Sequence, residues 1–331
     1  MYVLVVLTWL FTTRGTHGLH ITGENKSVPF SALIEVFGVF GMSKKEDKPA
    51  QIFFDYKNVI ETLSRVEAAF AVRRLKCHSG SALGSLFSSI RRIAKKSEKL
   101  NERQWRISFI KSTEAIRILN AVEAVLDDTG AQEAIHRITT SDMNLGTRQE
   151  SNGKDALWEL DLYRRFKLGG VPVSFEEPDL VVSLGESYGE YAIACKKIYS
   201  RESVQERLKG GCNQLETHGK SGVIAFNLDD VLPRGPLFEF STATELKQRI
   251  DKFNTKFIRE NERHFVRMAS RGACDGVLVS TSFIAHVPDM NPPVNVIRTS
   301  AAWTSRKEPN VQDRFKAFIE CHDRIYENTR V

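Results

Sequence analysis

Between Asn152 and Asp230 the hydrophobic period of this chain changes repeatedly, and that order of changes constrains the fold more than anything else in the sequence. "KDALWELDLYRRFKL" begins after Asn152, a residue suited to an N-cap, carries apolar side chains at helical steps, and stops at Gly169-Gly170. Three short β-rich runs follow, "VPVSF", "DLVVSL" and "EYAIACKKI", separated by turn residues. A second helical stretch, "SRESVQERLKGGCNQLETHG", then leads to the strand "GVIAFNL", which breaks at Asp229-Asp230. Helix, three strands, helix, strand requires a sheet covered by helices, and so an α/β fold.

The flanks extend this unit on both sides. From Gln51 to about Asp128 the pattern is helical: Val59, Leu63, Val66 and Phe70 recur at three- and four-residue steps, as do Leu83, Leu86, Phe87, Ile90 and Ile93, and "WRISFIKSTEAIRILNAVEAVLDD" gives a third long helix. We read residues 42–140 as a helical domain, 141–152 as a polar linker and 153–331 as the α/β domain. The last of these gains a long helix over 242–269, strands in "DGVLVSTSFIAHV" and "VNVIRTSAAWT", and a closing helix in "NVQDRFKAFIECHDRIYEN". Residues 1–41 read as an N-terminal extension, either from a misplaced start or as a weak targeting segment. Its apolar run of about 11 residues is short of the roughly 20 that span a bilayer, so no stable membrane association is expected.

Composition narrows the classes. Lys and Arg exceed Asp and Glu by 47 to 41, a net charge of +6 that permits a polyanionic partner without demanding one. The basic groups Arg73-Arg74, Arg91-Arg92 and Lys95-Lys96 can touch phosphates or simply face solvent. Five scattered cysteines with no CxxC pair read as reduced thiols of a cytoplasmic protein, and no Cys/His spacing suits a structural zinc. There is no phosphate-binding GxxxxGK[ST] loop, no GxGxxG after a strand and no GxSxG elbow.

The chemistry concentrates where the strands meet. Asp179 opens the second β-rich run and Lys196 ends the third, and a carboxylate beside a lysine on neighbouring strands suits metal-dependent phosphodiester cleavage. Strand alternation puts Ala192, Ala194 and Lys196 on one face, leaving room beneath the lysine for a metal or phosphate, with Ile193, Cys195 and Lys197 on the other. Glu159 shares a helical stripe with Leu162, Tyr163 and Phe166, where a carboxylate needs a partner: a metal, Lys196, or Arg165.

With Pro178-Asp179 and the terminal lysine, the αβββαβ order resembles the restriction-endonuclease-like, or PD-(D/E)xK, nuclease superfamily, over about a quarter of the chain. The resemblance implies a Mg²⁺- or Mn²⁺-dependent endonuclease acting on nucleic acid, with DNA the first candidate, and often a homodimer. It makes Asp179 the central metal ligand, Lys196 the residue that positions water and offsets phosphate charge, Glu159 the helix carboxylate, and Gln214 the glutamine late in the following helix. The family's second acid is replaced by Ala194. Glu190 shares that face but lies about 13 Å up the strand. Some relatives recruit the missing carboxylate from the following helix, which makes Glu206 and Glu202 candidates here, with Glu177 and Glu159 as further sources. The alternative is a nuclease fold that has lost its chemistry and binds nucleic acid or a protein partner.

Overall fold

The computed structural model describes residues 2–6, 32–35, 56–78, 80–96, 101–233, 237–290 and 294–324. The central run forms as its periods dictate. Helix α5 (Asn152–Leu168) starts one residue earlier than its cap was read: Ser151 is the N-cap, its hydroxyl accepting from the Gly153 N–H. It ends at Gly169, followed by Gly170 at φ 68°, the left-handed conformation that glycine adopts without strain. Strands β3 (Val173–Ser174), β4 (Leu180–Ser183) and β5 (Glu190–Lys197) are antiparallel to one another in sequence order. Helix α6 (Val204–Thr217) then crosses to β6 (Gly222–Asn227), which pairs parallel to β5.

The sheet grows beyond β6. Strand β8 (Gly276–His286) lies parallel to β6 and β9 (Val294–Thr304) antiparallel to β8, while the two-residue β7 (Phe238–Glu239) pairs with β8. Within the stretch read as an extension, β1 (Tyr2–Val6) and β2 (Ala32–Glu35) both pair antiparallel to β9. The main order is β1-β9-β8-β6-β5-β4-β3, a mixed sheet.

Before the sheet come α1 (Tyr56–Val72), α2 (Ala82–Lys96), α3 (Glu102–Glu123) and α4 (Gln132–Thr140). The apolar stripe Val59, Leu63, Val66 and Phe70 is buried, and α3 opens on a reciprocal cap between Asn101 and Gln104. Helix α7 (Ala243–Ala269) and α8 (Pro309–Asp323) complete the layers.

Strand alternation divides the core between the two sheet faces. Leu180, Val182, Tyr191, Ile193 and Cys195 pack with α5, α8 and the N-terminal helices in one continuous cluster. Val181, Ala192, Ala194, Ile224 and Phe226 pack on the other face with residues of α6 and α7. Trp158 fixes α5 over the sheet by donating from Nε1 to the Ala225 carbonyl at 3.0 Å. Among the described residues, no helix is long and apolar enough to cross a membrane.

Candidate functional site

The antiparallel register Leu180↔Ile193 brings the residue just before β4 beside the last turns of β5. Asp179 stands there, and its Oδ2 accepts the Cys195 backbone N–H at 2.7 Å and the Lys196 ammonium at 3.3 Å. Lys196 Nζ also donates to the Cys195 carbonyl at 3.0 Å. Both side chains keep a solvent face, 15% exposed for Asp179 and 14% for Lys196. Asp179 Oδ1 takes no hydrogen bond among the described residues, so half of this carboxylate is open to an incoming group.

Glu159 arrives from α5 and is 5% exposed. Its partner is neither Lys196 nor Arg165 but Arg137, in the last turn of α4. There Nη1 donates to Oε1 at 3.1 Å and Nη2 to Oε2 in a close contact. Burial, then the negative charge of Asp179, pushes the Glu159 carboxyl up to about 7, with Arg137 and Lys196 pulling the other way. Burial likewise raises the Asp179 carboxyl, against the opposing pull of Lys196 and the Cys195 N–H. The Cys195 thiol, buried beside both acids, is raised well above the ordinary thiol value and stays neutral. Two carboxylates and two cations, from α4, α5, the residue before β4, and β5, therefore form one interacting cluster.

The other expected members are elsewhere. Glu177 is exposed and turns to His218 at 3.5 Å. Glu206 and Glu202 lie exposed at the start of α6 and just before it. Gln214 is half-buried in α6, its Oε1 enclosed without a hydrogen-bond partner. None of these hydrogen-bonds or ion-pairs with Asp179 or Lys196 among the described residues. The space expected beneath Lys196 is filled: Ala194 is fully buried, and a Cβ on Gly211 of α6 would meet its Cβ at 3.5 Å.

For a divalent cation the fit is partial. Among the described residues, no group of three or more His, Cys, Asp or Glu side chains is placed to share a metal. Mg²⁺ needs only one or two protein carboxylates and completes its shell with waters. Asp179 meets that requirement through its open Oδ1, whereas Glu159 can join only by giving up an oxygen now held by Arg137.

The neighbouring lysine behaves differently. Lys197 projects to the opposite face, where its ammonium lies 2.8 Å from Asp230 and 2.8 Å from Asn227 Oδ1. It lines a cavity of about 550 Å³ between α3, the 145–148 segment and the ends of β6 and β8. The principal cations there are committed. Arg117 is paired with Asp161 and Asp229, which hold its pKa up against burial, and Lys154 spends its three donors on Thr147 and Gln149.

No family model matches the chain, and no curated protein or solved structure matches it. Two residues central to the local electrostatics, Arg137 and Asp230, escaped the sequence reading. Asp230 stood in view as the break after "GVIAFNL", next to a strand end that had to lie beside β5.

Proposed function

We propose that this chain is a phosphodiester-cleaving nuclease of the PD-(D/E)xK type. One observation carries the reading: Asp179 and Lys196, from separate strands of an αβββαβ unit, lie 3.3 Å apart at a solvent-reaching edge, with the Glu159 carboxyl in electrostatic contact. Asp179, through Oδ1, and Glu159, on releasing Arg137, would hold Mg²⁺ or Mn²⁺. When bound, the ion would supply positive charge and a more acidic water.

The protein side chains contribute the rest. Lys196 places a compact positive charge where negative charge develops on the phosphate. Asp179 fixes that ammonium, and is itself fixed by the Cys195 N–H. The substrate is nucleic acid, with DNA the first candidate, in keeping with the net charge of +6. A homodimer would provide the two sites that cutting a duplex requires. The five free thiols accord with a cytoplasmic setting.

The test is incubation of purified protein with duplex DNA, single-stranded DNA and RNA in Mg²⁺, Mn²⁺ or EDTA, beside Asp179→Ala. Metal-dependent cutting lost in the variant is the expected result. Absence of cutting on every substrate would refute the reading.

A second reading, a nuclease fold that binds nucleic acid or a protein partner without turnover, is favoured by Ala194. That position carries no acid, and its space is closed by α6. Binding retained equally in wild type and Asp179→Ala, without cleavage, would select it.

A further inference from the structure

We propose that Arg137 is an internal counter-cation that competes with a divalent metal for the Glu159–Asp179 carboxylates, so that this arginine sets the metal affinity of the site. The inference rests on the nuclease reading above for its purpose, but its test does not depend on cleavage.

The charge balance of the cluster is the first argument. With both carboxyls ionised, Glu159 and Asp179 contribute two negative charges, and Arg137 and Lys196, paired to them, two positive ones. A divalent ion added to this set would leave it two charges in excess, whereas an ion replacing Arg137 would leave it only one in excess. The second argument is geometry. A guanidinium matches a carboxylate with two parallel donors, and Arg137 uses that fork to cover both oxygens of Glu159. Those oxygens are the second hard donor set that the open Oδ1 of Asp179 lacks.

The third argument concerns accessibility. The Arg137 side chain is 28% exposed while the Glu159 side chain is only 7% exposed, so the arginine lies on the solvent side of the acid it covers. Its Nε is enclosed without a hydrogen-bond partner, so Glu159 is the sole hydrogen-bonded anchor of the guanidinium among the described residues. Release therefore means breaking one bidentate contact and swinging outward. Asp179 lies close enough that its charge also acts on Arg137.

The experiment is Mn²⁺ titration of the full chain without nucleic acid, by calorimetry and by the metal-induced shift in melting temperature. It compares wild type, Arg137→Met, Arg137→Gln, Arg137→Lys and the double variant Arg137→Met/Asp179→Ala. Arg137→Gln keeps donors toward Glu159 without the charge, and serves if the methionine variant does not fold. Removing the charge is expected to tighten Mn²⁺ binding roughly ten-fold or more. Arg137→Lys should remain near wild type, and the double variant should lose the gain. A larger melting shift with Mn²⁺ should accompany the tighter binding. Folded neutral variants that bind Mn²⁺ no more tightly than wild type would overturn the proposal, even if wild type cuts DNA. A gain in affinity would uphold it even in a protein that cuts nothing.

Discussion

Lys196 and Lys197 are consecutive residues at the end of β5, yet the pleat sends them to different environments. Lys196 meets Asp179 at 3.3 Å with the pair 14% and 15% exposed, while Lys197 meets Asp230 at 2.8 Å with that pair 6% and 9% exposed. Lys197 is further enclosed by Asn227 and lies 5.6 Å from the centre of the Tyr199 ring. The comparison separates two uses of one residue type. A sealed pair is expensive to break, because its partner is left charged in a poor solvent. The Asp179–Lys196 pair is also largely buried, so breaking it costs something of the same kind but less, and its solvent face leaves the ammonium able to engage a phosphate.

The most severe way to break the comparison is Lys197→Ala. It abandons Asp230 and Asn227 in the interior and should cost about 3–5 kcal/mol of unfolding free energy, read by urea denaturation. Next in size is Lys196→Ala, which should lower the cleavage rate by roughly 10²-fold or more.

A third effect is pH-dependent. The folded Glu159 carboxyl titrates at about 7 rather than at its ordinary 4.5, so the folded state binds this proton more tightly than the unfolded state. The associated stability is complete below about 4.5 and is lost as pH rises through about 7, on the order of 3 kcal/mol. Glu159→Gln should flatten that slope between pH 5 and 7.5 in denaturant titrations. The smallest effect sharpens the contrast: Lys196→Ala, which leaves Asp179 its Cys195 N–H and a solvent face, should cost only about 1–2 kcal/mol of unfolding free energy.

Legibility followed the range of the interactions. Helix α5, strands β4 to β6 and helix α6 were readable because period and end-capping are local; the α5 N-cap moved from Asn152 to Ser151, and α6 begins at Val204 rather than at Ser200. Asp179 and Lys196 were readable as neighbours because the hairpin between β4 and β5 is short. Helix α4 was missed: "QEAIHRITT" is only nine residues, directly behind an Asp-Thr-Gly stop, too short to display a period. With it went Arg137, whose meeting with Glu159 depends on how α4 packs against α5 rather than on any spacing. The room expected beside Ala194 failed for a similar reason. Alternation gives the face of a residue but not what covers that face, and here Gly211 lets α6 approach closely. Strand β7 has two residues and no pattern to read.

The most direct measurement is the initial rate of duplex-DNA cleavage by Lys196→Ala beside wild type, with Mg²⁺ and with EDTA, each sample checked by its melting temperature. The account predicts that wild type cuts with Mg²⁺ and stops with EDTA, while Lys196→Ala remains folded at the assay temperature and cuts roughly 10²-fold more slowly or less. A folded Lys196→Ala that cuts at the wild-type rate would contradict it.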